Sequence, residues 1–71
     1  MAPGPDRYID REIDAIERAA TEGPMSREEL ARAVNARVWG PGRFRRALRL
    51  AQSEHRLTRV TRVGRDTYAR A

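Results

Sequence analysis

The sequence predicts an α+β domain, mostly α, in which three helices are followed by a β-hairpin. Three observations carry this reading. Apolar residues recur at helical spacing up to about residue 54. Two glycine–proline breaks, Gly23-Pro24 and Gly40-Pro41-Gly42, divide that stretch into three. From Leu57 the chain turns to threonine and valine around a single glycine, the signature of paired strands. At 71 residues there is room for one domain with a thin core.

Residues 1–6, with two prolines and a glycine, read as a flexible tail ahead of one domain over 7–71. Asp6 is a plausible N-cap. Ile9, Ile13, Ile16 and Ala20 then fall on one face of a helix expected over 7–22, ended by Gly23-Pro24. Asp10, Asp14 and Glu17 alternate with Arg11 and Arg18 as a salt-bridged outer face. Ser26 with Glu29 three residues on is a capping-box pattern, and Leu30, Ala31 and Val34 form the apolar stripe of a second helix over 27–35. Met25 either staples onto Leu30 or pairs as a short strand against the later hairpin.

A turn follows from Ala36 to Gly42. Gly40 is suited to cap the third helix and Pro41 to its first position, where a missing N–H costs nothing. That helix is expected over 41–54. Stepping about 100° per residue from Phe44 puts Ala47, Leu48 and Ala51 beside it, with Arg45, Arg49 and Arg46 at about 100°, 140° and 200° on the far side. Leu50, at about 240°, is an outlier. His55 stands at the bend into the first strand, where a left-handed residue is needed and histidine is tolerated. For the hairpin, a three-residue loop at 63–65 would set Val60 opposite Tyr68 on the core face. Trp39 reads as a turn anchor in the core, and Tyr68 as core. Tyr8 packs on the core or on a second subunit.

All fifteen basic residues are arginine, and the net charge is +5. The charge is polarised along the chain. Residues 6–29 hold eight acids and four bases, a net of −4; residues 30–71 hold two acids and eleven bases, a net of +9; the two sum to the chain total. An ordinary surface intersperses signs, so an uncompensated arginine cluster points to a polyanion.

The order helix, helix, turn, helix, hairpin resembles the winged helix-turn-helix family. The likeness rests on Glu29-Leu30-Ala31 in the second helix, the arginine-rich third helix ending near His55, and the closing stretch Gly64-Arg65-Asp66-Thr67-Tyr68-Ala69. It extends to small actinobacterial regulators and to the N-terminal module of abortive-infection-type antitoxins, and covers residues 7–70. The turn after the second helix departs from the family pattern by about three extra residues, Arg37-Val38-Trp39. The resemblance implies that the third helix enters the major groove of double-stranded DNA, with the hairpin as a wing on backbone or minor groove. Carried over by position, Arg43, Arg45, Arg46 and Arg49 face the groove, Arg62 and Arg65 sit on the wing, and Arg37 in the turn holds a phosphate. The start of the third helix, Pro41 to Arg43, would add backbone N–H groups to a phosphate.

Catalysis is not expected: His55 is the only histidine and nothing arranges a partner for it. No metal site or cofactor is expected either, because there is no cysteine and no second histidine, and no small-molecule ligand is evident. The missing cysteines suit a reducing compartment, and no apolar run approaches the ~20 residues of a membrane span. The expected setting is the bacterial cytoplasm, in association with the nucleoid. The expected role is transcription regulation or another DNA-associated task, with a homodimer or partner protein as an added partner. The competing reading is a winged-helix protein-interaction adaptor such as an antitoxin or anti-repressor.

Overall fold

The computed structural model describes residues 7–71, without the side chains of Arg7 and Arg62, so the N-terminal tail at 1–6 lies outside the described residues. The elements run α1 (Arg7–Ala20), β1 (Met25–Ser26), α2 (Arg27–Ala33), a 3-10 turn (Ala36–Val38), α3 (Arg43–Ser53), β2 (Leu57–Arg62) and β3 (Arg65–Arg70). The strands form one antiparallel sheet in the order β1-β3-β2. The architecture is α+β, mostly helical, and no helix of the described residues is long and apolar enough to cross a membrane.

The helical periodicity of α1 does what the sequence predicts. Ile9, Ile13, Ile16 and Ala20 are all buried, and they meet Leu30 of α2 and Ala47, Leu48 and Ala51 of α3. Leu57 and Tyr68 close the core from the sheet, and Trp39, Phe44 and Leu50 pack against it half-buried. Leu50 therefore belongs to the core margin. The Trp39 and Phe44 rings lie 6.1 Å apart and tilted by 48°, so Trp39 anchors the turn before α3.

Each helix is shorter than the sequence predicts, and each shortening has a local cause. After Ala20 the bonds tighten to the third residue back, from Thr21 to Arg18, Glu22 to Ala19 and Gly23 to Ala20, which ends α1 two residues early. The capping box of α2 is present in both directions: Glu29 N donates to Ser26 Oγ at 3.1 Å, and Ser26 N donates to Glu29 Oε1 at 2.9 Å. That second bond, to the backbone N–H of Ser26, holds the Glu29 carboxyl below its usual range. Asn35, with φ of 55°, turns left-handed and stops α2 at Ala33. Beyond Asn35 the chain winds into the 3-10 turn, Ala36–Val38. Gly42, with φ of 77°, redirects the chain at the next break, so α3 starts at Arg43 and Pro41 stays in the turn outside it.

At the other end of α3, His55 adopts φ of 61° as expected. Arg56 N donates to Ala51 O at 2.9 Å and His55 N to Gln52 O at 3.0 Å, the paired bonds of a Schellman closure. Met25 pairs opposite Tyr68, so the short-strand reading of that residue holds.

The hairpin register corrects the expectation. Arg62 pairs with Arg65 across a two-residue turn, Val63-Gly64, so Val60 sits opposite Thr67 and Tyr68 opposite Arg59. The core needs Leu57, which leaves the α3 corner already buried. Strand alternation then gives Leu57 and Arg59 the Tyr68 side and turns Val60 to the other. Val63 and Gly64 have φ of 50° and 73°, the left-handed pair of a type I′ turn that asparagine followed by glycine fills best. Valine is strained there and is fully exposed. Val63→Asn is expected to stabilise the domain by about 1 kcal/mol, or ~4–8 °C in Tm. A Tm that stays level or falls in thermal denaturation would refute this turn.

Candidate nucleic-acid interface

The arginines of the second half separate into two sets according to whether α1 reaches them. Arg43 lies at the edge of the α3 core face, within reach of Glu12. Its Nε donates to both carboxylate oxygens at 3.0 and 3.1 Å, and its Nη2 to Oε1 at 2.6 Å. The Glu12 side chain is only 11 % exposed, so this ion pair joins α1 to α3 in a half-buried setting. Arg56, at the corner between α3 and β2, donates to Asp14 and to Glu17, the latter at 2.7 Å. The Asp14 bond, with Glu17 behind it, raises the already high Arg56 pKa. Arg70 lies 3.7 Å from the other oxygen of Glu17.

The sequence paired the α1 acids with arginines of their own helix. In the fold, Glu12, Asp14 and Glu17 reach across to α3, the β2 corner and the end of β3. Arg43, expected in the groove-facing set, is instead turned to α1. The start of α3 is also less open to a phosphate than expected, since Pro41 has no N–H and Arg43 N donates to Gly40 O at 3.4 Å.

Arg45, Arg46 and Arg49 form the second set. All three are exposed on the face of α3 opposite Ala47, Leu48 and Ala51. Among the described residues none of the three joins an ion pair or a side-chain hydrogen bond. The α1 carboxylates engage Arg43, Arg56 and Arg70 and do not reach the three arginines on the outer face of α3.

Arg37 is exposed in the 3-10 turn, and Arg65 is exposed at the start of β3, next to the hairpin turn. Arg65 also feels the Glu29 carboxylate through space. The side chain of Arg62 lies outside the described residues. One cation escaped the sequence reading. Arg59 is exposed on β2, two residues after Leu57 and opposite Tyr68, on the side of the sheet that meets the helices. Period-two alternation counted from Leu57 was the signal that could have found it.

A cleft of about 550 Å³ lies between α1 and the 3-10 turn, lined by Tyr8, Ala15, Val34, Val38 and Trp39 and edged by the Glu12–Arg43 pair. Tyr8 and Val38 are 70 % and 68 % exposed. Among the described residues no group of three or more histidines, cysteines or carboxylates is placed to hold a metal. Comparison of the chain with protein-family models, curated proteins and solved structures finds no significant match.

Proposed function

We propose that the chain is a winged-helix domain that binds duplex DNA, acting in a bacterial transcription regulator or another nucleoid-associated factor. One observation carries the reading: three neighbouring arginines stand exposed, without ion pairs among the described residues, on a helix whose opposite face is the core. The element order supports it, with a short strand between the first two helices, a hairpin after the third and a sheet ordered β1-β3-β2. In this reading α3 lies in the major groove, which is wide enough to admit a helix. Arg45, Arg46 and Arg49 line it, Arg65 and Arg59 reach the backbone from the hairpin, and Arg37 holds a flanking phosphate. Arginine suits the task because its planar fork grips phosphate bidentately. A single module buries only ~600–1,000 Å² on DNA, so tight binding calls for a second copy or a partner protein.

The test is the salt dependence of binding to a mixed-sequence duplex. Neutralising about six phosphates gives a slope of about −5 in log K against log salt. No duplex binding, or a slope near zero, overturns the reading. A duplex RNA competitor should bind more weakly, since the deep, narrow RNA major groove does not admit side chains.

The cleft favours the second reading, a protein-interaction adaptor. Its exposed Tyr8 and Val38 would anchor an apolar side chain from another protein, with the Glu12–Arg43 pair at the rim. A flat salt slope with no preference among duplexes would favour that reading.

A further inference from the structure

We propose that α3 is restricted to reading guanine, so that the preferred duplexes carry two or three guanines within about three base pairs. This rests on the duplex-binding reading and narrows it. In the major groove, arginine and lysine recognise guanine through O6 and N7. Asparagine and glutamine recognise adenine, aspartate and glutamate accept from cytosine, and small apolar groups touch the thymine methyl.

The fold leaves arginine as the main base-reading side chain on the exposed face of α3. Gln52, the one amide on the helix, is half-buried and donates from Nε2 to Leu48 O at 3.3 Å. Ser53 Oγ is directed back to Leu50 O at 3.3 Å. No carboxylate occurs between Arg43 and Ser53, and Glu54 follows only as the C-cap. Of the apolar side chains, Ala47, Leu48 and Ala51 are buried, while Phe44 and Leu50 pack against the core. Arg43 is engaged with Glu12. Arg45, Arg46 and Arg49 are left, and their forks match the two acceptors of guanine.

The spacing follows from helix geometry. Arg45 and Arg49 are four residues apart, about 6 Å along the axis at ~1.5 Å per residue. Base pairs stack ~3.4 Å apart, so the two arginines reach pairs about two steps apart, with Arg46 between them. Arginines are also drawn to the narrow minor groove of A·T-rich DNA. Here they ride on a helix ~10–12 Å across, and the minor groove is only ~6 Å wide. The major groove is the one that admits them.

The experiment is selection of bound duplexes from a random pool with the whole 71-residue chain, at two salt concentrations. It is repeated with Arg49→Gln, which replaces the guanine-reading fork with an amide that recognises adenine. The expected result is a short cluster of guanines, with a loss of about tenfold when one of them becomes adenine. Arg49→Gln should lose the guanine preference at one position, in favour of adenine, while folding as the parent does by circular dichroism. An A·T-rich motif, or retained duplexes with no enrichment, overturns the guanine assignment and leaves duplex binding standing. A pool from which no duplex is retained at either salt overturns both.

Discussion

Replacing Arg46 and Arg49 together with alanine is expected to lower affinity for the preferred duplex by about a hundredfold or more, with the fold intact. Each well-placed arginine contact discriminates by ~1–3 kcal/mol, and ~1.4 kcal/mol is a factor of ten. Two lost contacts therefore reach a hundredfold if each is worth only about 1.4 kcal/mol, near the lower end of that range. The fold should not notice. Both residues are exposed and outside every ion pair among the described residues. Alanine is the best helix former, and exposed substitutions of this kind shift stability by about 0.5 kcal/mol or less. Arg43→Ala is the control with the opposite signature. It strips Glu12, 11 % exposed, of its arginine partner on α3 and so lowers stability, while the outer face of α3 stays as it was. Titration of a labelled duplex, with a thermal melt of each variant, separates the two. Unchanged affinity in the double variant sinks the assignment of the α3 face.

Local patterns in the sequence carried the helices and hid the long-range pairings. The stripe Ile9, Ile13, Ile16 and Ala20 is buried as its spacing predicts, Ser26 and Glu29 form both halves of their box, and His55 takes the left-handed bend. Each of these depends on residues within a few positions of one another. Arg43 is different. About 100° per residue from Phe44 puts it at the margin of the core face, near Leu50. Whether a margin residue turns inward depends on what the neighbouring helix offers, and Glu12 is 31 residues away in sequence. The same holds for Arg56, whose partners Asp14 and Glu17 are 42 and 39 residues away.

The hairpin was hidden for another reason. Its turn occupies Val63-Gly64, and valine is among the last residues expected at a φ of 50°. Joining Val60 to Tyr68 then looked like the best apolar pairing, although Leu57 had already claimed the inner side. In the observed register Arg59, opposite Tyr68, lies on the same side of β2 as Leu57. Arg45, Arg46 and Arg49 needed no long-range information to be placed on the outer face of α3, because they stand opposite the buried stripe of their own helix.

Leu30→Ala is expected to remove most of the stability of the domain. Leu30 is fully buried and is the only buried residue of α2. Truncating such a leucine costs ~2–5 kcal/mol through lost transfer energy and the cavity left behind. Domains below ~70–80 residues rarely hold more than ~3–5 kcal/mol in total, so the substitution is comparable to the whole margin. A helix of seven residues does not persist alone in water. Without Leu30, α2 depends on its capping box and on the short pairing of β1 with β3, and both sit at its N-terminal end. Loosening α2 frees the 3-10 turn and the start of α3, so duplex binding should be lost with the fold and not before it. Leu30→Met, which conserves volume, should cost less than ~1.5 kcal/mol. A melt followed by circular dichroism decides the matter: the alanine variant should lose ~15 °C or more, and a loss below about 5 °C would mean that α2 is held by something other than this side chain.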